Sequence, residues 1–169
     1  MVNVTTRTLD KARREIEKGN LWRAKEILQG AIRSENYDVQ LYEMLGTVFL
    51  RMGDEPEAGK FLFLSGVRRS EYLESIELFL SRHSRKAPHD FVRHLPRKAR
   101  LRTVSDYPHE VAQTLREMGL PEVLKDKHGR IYEPETPIGI VGRLGCGAIA
   151  LVTLALLILG AIKLWELTH

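Results

Sequence analysis

The chain has 169 residues, of which 43% are hydrophobic and 28% charged, with a formal net charge of +4. This is room for one ordinary globular domain and a small addition rather than two full domains, and the average composition is that of a globular chain rather than a disordered one. The single cysteine, Cys146, excludes an intrachain disulfide framework, and the stretch Met1 to Gly19 has no apolar run to serve as a signal peptide, so the N-terminal part is expected in the cytosol.

The N-terminal half repeats itself. Ala12 and Gly46, Gly19 and Gly53, Ala24 and Ala58, Ile27 and Phe61, and Leu28 and Leu62 all stand 34 residues apart, a period in which each unit is a pair of helices that needs a neighbour to cover it. The small residues allow close helix crossings, Gly19 and Gly53 end the first helix of each pair, and Asp54 with Glu57 predicts a capping box for the next. Tyr42, Leu45, Gly46 and Phe49, followed by Ala58, Leu62 and Ser65, resemble the tetratricopeptide repeat. The first unit is looser, with Lys11 and Glu15 at two signature positions and Leu9, Ala12 and Ile16 carrying the apolar face. Trp22 is read as a packing residue of this first hairpin. The phrases around Gly19–Gly30 and Gly53–Leu64 are also similar to an uncharacterised bacterial family of short repeat-like proteins.

The third unit keeps the register for one helix, Ile76 standing 34 after Tyr42 and Phe79 after Leu45. The expectation is an all-α fold in which about five tetratricopeptide-like helices occupy residues 1–84. The resemblance implies a groove lined by the first helices, where Arg13, Gln40, Glu43, Thr47, Arg51 and Glu77 are the candidate partner-binding residues. The lysine and asparagine of the carboxylate-clamp subclass are not matched by Leu9, Arg13, Glu43 and Thr47, so binding of chaperone tails is not implied.

Residues 85–137 read as a basic linker carrying a short helix and a hairpin. Arg93, Arg97, Lys98, Arg100 and Arg102, with Pro88 and Pro96 among them, are candidates for contact with anionic lipid, at about 1 kcal/mol per cation near such a surface. A helix is predicted over Pro108 to Met118, stopped by Gly119 and Pro121. Val123-Leu124 is expected to pair with Ile131-Tyr132 around a turn ending at Gly129.

Leu144 to Ile162 holds no charge and is bracketed by Arg143 and Lys163. At ~1.5 Å per residue it reaches roughly 28 Å, the thickness of a bilayer core, so a transmembrane helix is predicted within 138–163. The cations before it exceed those after, which places the N-terminus in the cytosol and leaves 164–169 as a short tail on the far side of a tail-anchored, single-pass protein; the bacterial resemblance suggests the inner membrane. Gly142, Cys146, Ala150, Thr153 and Gly160 form a small-residue stripe suited to packing against another transmembrane helix, of the same or a different protein.

Signs of chemistry fail on inspection. His109-Glu110 opens like the HExxH zinc motif, but Gln113 takes the place of the second histidine. Gly145-Cys146-Gly147 imitates a dinucleotide fingerprint without the second strand and acidic residue that motif needs. His83, His89 and His94 are read as surface histidines. No enzyme activity, metal or cofactor is expected. The function expected is a membrane-tethered protein–protein interaction scaffold or adaptor. An accessory or regulatory subunit of a membrane complex is the alternative, and a nucleic-acid tether is disfavoured because no binding motif accompanies the basic charge.

Overall fold

The structure is a computed structural model, and it describes residues 4–83, 88–125 and 129–131. These lie in the unit Met1–Tyr132; the unit Glu133–His169, with the predicted transmembrane segment and its small-residue stripe, lies outside the described residues. Within the described residues no helix is long and apolar enough to cross a membrane.

The fold is all-α. Seven α-helices follow one another among the described residues: α1 (Val4–Glu17), α2 (Leu21–Ser34), α3 (Val39–Arg51), α4 (Glu55–Ser65), α5 (Ser70–His83), α6 (Pro88–His94) and α7 (His109–Glu117). Helices α1 and α2 pair as one hairpin, α3 and α4 as a second, and α5 packs against α4. Both hairpins turn on a glycine in the left-handed region, Gly19 at φ 79° and Gly53 at φ 77°, a conformation that costs a side-chain-bearing residue about 1 kcal/mol or more. The Asp38 carboxylate caps α3 by accepting from the backbone N–H groups of Gln40 (2.9 Å) and Leu41 (3.2 Å), and Asp54 caps α4 by accepting from Glu57 N–H at 3.3 Å. That is half of the capping box expected at Asp54; the Glu57 carboxylate instead pairs with Lys60 at 2.6 Å.

Four of the five pairs noted 34 apart share environments, the exception being Ile27, partly buried where Phe61 is buried. Ala24 and Ala58, and Leu28 and Leu62, are all fully buried. Ala12 is likewise buried, and at Gly46 an added Cβ would come within 2.6 Å of the Leu62 side chain. Trp22 departs from expectation: it is 61% exposed. The buried face of α2 runs through Ala24, Leu28, Ala31 and Ile32, and a residue two positions before Ala24 is turned about 200° away from it at 3.6 residues per turn.

The basic linker is corrected. From Pro88 onward the chain folds onto the helical hairpins, with Phe91, Val92, Leu95, Ala99, Val104, Tyr107, Val111, Ala112, Leu115, Leu120 and Leu124 buried in the same core as α1–α5. Phe91 meets Phe63 of α4 edge-on at 5.8 Å and Phe79 of α5 at 5.6 Å, geometry that suits the ring quadrupoles. The start of α7 sits against Gly66, where a Cβ would lie 2.6 Å from the Pro108 side chain. The predicted helix over Pro108 to Met118 is α7 within a residue at each end. The hairpin is corrected in its pairing: Lys125 bridges Ile131 across Gly129, which has φ 75°, but Val123 pairs antiparallel with Thr103 instead of with the far arm. Two short arms alone are marginal, and the Thr103 bridge ties one of them to the core.

Three tyrosines join the second hairpin to this C-terminal part. The Tyr37 ring lies 5.1 Å from Tyr42 and 5.8 Å from Tyr107; its hydroxyl donates to Leu64 O, while the Tyr107 hydroxyl donates to Ala99 O at 2.5 Å and accepts from Leu101 N–H at 3.0 Å. Burial disfavours the phenolate of each, raising all three above the ordinary tyrosine value, Tyr107 to about 12. A folded value above the unfolded one of about 10 means that the stabilisation is fully present below about pH 10 and is lost as pH climbs towards the folded value. Unfolding free energy should therefore fall above about pH 10, by about 1.4 kcal/mol per pH unit for each buried tyrosine. Urea midpoints measured up to about pH 11 on the natural chain and on Tyr42→Phe check this: the variant should show the shallower alkaline slope, and equal slopes would contradict it.

Candidate functional site

Helices α1 and α3 and the N-terminal end of α5 enclose a cleft of about 420 Å³, lined by Leu9, Arg13 and Ile16 of α1, by Gln40, Glu43, Met44 and Thr47 of α3, and by Arg69 and Tyr72. The sequence makes this cleft by leaving the outer side of each first helix polar while its inner side is spent on the hairpin. On α3, Leu41, Tyr42, Leu45, Val48 and Phe49 face the core, so Gln40, Glu43 and Thr47, offset by a residue or two, fall on the other side.

The structure brings together four of the six expected groove residues, Arg13, Gln40, Glu43 and Thr47. Arg51 and Glu77 lie about a turn further towards the C-terminal ends of α3 and α5 and do not line the cleft. Besides the apolar Leu9, Ile16 and Met44, two polar lining residues, Tyr72 and Arg69, were not foreseen. Tyr72 precedes Ile76 by one turn on the inner face of α5, a signal present in the sequence; Arg69 lies in the turn before α5, where no periodicity marks it.

The polar wall is connected. Arg69 Nη2 pairs with Glu43 Oε1 at 3.0 Å, and the Tyr72 hydroxyl donates to the same oxygen at 3.3 Å. Thr47 Oγ1 donates to Glu43 O at 3.0 Å and stands 3.4 Å from the Tyr72 hydroxyl. The Arg69 guanidinium also lies over the Tyr72 ring at 5.5 Å, a cation–π contact that restrains its rotamers. On the opposite wall Arg13 pairs with Asp10 of its own helix at 2.9 Å. Below these, Leu9 is buried and Ile16 and Met44 are partly so, which gives the cleft an apolar floor. Such a cleft can seat an apolar side chain and hold flanking polar or charged groups; nothing in it is arranged as a nucleophile and base.

The basic residues separate into two kinds. Arg93, Arg97, Lys98 and Arg102 are exposed, Arg93 near Asp90 at 3.7 Å. Arg100 is half-buried and used internally: its Nε donates to Leu95 O at 2.9 Å and its Nη2 to Arg93 O at 2.7 Å, closing the end of α6, and Lys125 Nζ donates to Arg100 O. Burial lowers both Arg100 and Lys125 from their ordinary values. His83 and His94 come together, ring centres 4.9 Å apart, each with Nδ1 against a carbonyl one turn back, Phe79 O at 2.8 Å and Asp90 O at 2.7 Å. Among the described residues no group of three or more histidine, cysteine or acidic side chains could hold a metal ion.

No curated protein and no solved structure matches the chain. A family model described as a family of unknown function, DUF6584, matches residues 3–166. That match runs through the helical hairpins and on past Leu144–Ile162, and the chain belongs to this family of unknown function, DUF6584.

Proposed function

We propose that the chain is a membrane-tethered protein–protein interaction scaffold or adaptor. Tetratricopeptide-like hairpins offer the cleft between α1, α3 and α5 to a segment of a partner protein, and Leu144–Ile162 holds the domain at the cytosolic face of the membrane. The observation that carries this reading is the cleft: Arg13, Gln40, Glu43 and Thr47, separated by up to 34 positions in sequence, line one concave surface with an apolar floor and a connected polar wall. The uncharged run of Leu144–Ile162 supports the tether.

Recovery of partners from detergent-solubilised membranes tests the reading. Gln40 is exposed, so Gln40→Trp fills the cleft mouth while leaving the core untouched. A partner recovered with the natural chain should fall about tenfold or more with this variant, a loss of about 1.4 kcal/mol, while circular dichroism stays the same. Equal recovery would place the binding elsewhere.

The exposed cations of the α6 region serve as an electrostatic contact with anionic headgroups in the same reading. Neutralising Arg97, Lys98 and Arg102 together should weaken binding to phosphatidylserine vesicles by up to about 3 kcal/mol at low salt and by little at high salt. Equal binding to phosphatidylcholine vesicles would remove lipid adhesion from the account. Arg100 is left out of this set because its loss would open the end of α6.

A further inference from the structure

We infer that the cleft is selective for acidic peptide segments, ones that place an aliphatic side chain between carboxylates; this rests on the cleft being the partner site. The charges lining it are not equally available. The side chains of Arg13 and Arg69, on opposite walls, are both 56% exposed, whereas the Glu43 carboxylate is only 22% exposed and already accepts from both Arg69 and Tyr72. Asp10, 52% exposed, pairs with Arg13 but does not line the cleft, so the lining itself offers an entering ligand two guanidinium groups and one largely covered carboxylate.

Arg69 is also preorganised for such a ligand. Its guanidinium is pinned over the Tyr72 ring and touches Glu43 through Nη2, and a guanidinium has five N–H donors in a planar fork, so a second carboxylate can be held without displacing the first. If Glu43 does give way, it keeps the Tyr72 hydroxyl as donor, so that no carboxylate is stranded in the cleft wall. Basic ligands face the reverse: they would meet Arg13 and Arg69 head-on, and like-charge juxtaposition opposes them. Between the two arginines, Leu9, Ile16 and Met44 leave an apolar floor. An unbranched methionine can adapt to leucine, isoleucine or methionine alike, so the anchor is specified as aliphatic and the flanks as acidic.

Short random peptides displayed on phage, selected on the full chain in detergent micelles, test this. Recovered peptides should carry Asp or Glu on both sides of a Leu, Ile or Met. Selection on Arg69→Glu or Arg13→Glu should deplete them about tenfold or more, whereas Arg51→Glu, which changes the same charge outside the cleft, should leave them in place. Peptides that require an open cleft, being lost with Gln40→Trp, but that are neutral or basic and indifferent to Arg69→Glu would overturn acidic selectivity while preserving the cleft as the partner site. Equal depletion by Arg51→Glu would reduce the preference to general charge attraction and also overturn it. Peptides that bind Gln40→Trp as well as the natural chain, or no enrichment at all, would overturn the partner site itself and the selectivity with it.

Discussion

Replacing Leu154 and Leu157 by arginine is expected to leave the protein in the soluble fraction after alkaline carbonate extraction, and the natural chain is expected to stay with the membrane. Each charge near the centre of a transmembrane helix costs about 2.5 to 3.5 kcal/mol on insertion scales, so the pair costs about 5 to 7 kcal/mol. Leu144 to Ile162 has no charged position with which to offset that. The helical hairpins should be unaffected, because both substitutions fall in the unit beyond Glu133, and a circular-dichroism melt of the extracted variant should match that of a truncation lacking this unit. A natural chain that washes off membranes, or a doubly substituted chain that stays on them, would contradict the tether.

The second large effect lies at Gly59. An added Cβ there would stand 1.9 Å from Ser75 O and 2.6 Å from Ser75 C, with Phe79 Cβ at 3.0 Å. The first two are backbone atoms of α5, so no rotamer change relieves the clash and the helices must part. Gly59→Ala should cost about 3 kcal/mol or more, the upper end for overpacking a core, despite the gain in helix propensity of about 1 kcal/mol that alanine brings elsewhere. Gly30→Ala is the control: it lies in α2, where a Cβ meets nothing within 4 Å, and it should be neutral or stabilising. Equal melting points for the two variants would contradict the close α4–α5 contact.

The close helix crossings are unequally visible in the sequence. Ala12, Gly46, Ala24 and Ala58 announce themselves because the 34-residue period repeats them, and their burial follows. Gly59 has Lys25 at its equivalent position, so the period does not repeat it, although α5 follows α4 as α3 follows α2. Helix α4 is hard to read for a different reason: Ala58, Gly59 and Phe61 to Ser65 are all buried, so it is covered on both sides and shows no polar stripe. Half of the candidate site was legible because residues on the solvent side of a first helix follow once the core side is assigned. Arg69, in a turn, follows from no such rule.

Helix α6 was missed through charge and proline. Phe91, Val92, Leu95 and Ala99 stand at helical spacings, but Arg93, Arg97, Lys98 and Arg100 crowd the intervening positions and read as a solvated run. The two prolines looked like breakers and instead bound the helix: Pro88 is its first residue, where the missing N–H costs nothing, and Pro96 follows its end. The Thr103–Val123 bridge was beyond reach of hairpin reasoning, which pairs neighbours in sequence.

A cleft that serves as the partner site of a membrane-tethered domain must itself be touched by the partner in the cell. Photo-crosslinking in intact cells decides this, with a photoreactive residue placed at Gln40 in the cleft or at Trp22, which is exposed on α2 outside it. An adduct to a partner protein in the membrane fraction from position 40, and none from position 22, is the result predicted. Adducts of equal yield from both positions, or from position 22 alone, would contradict the cleft as the partner site.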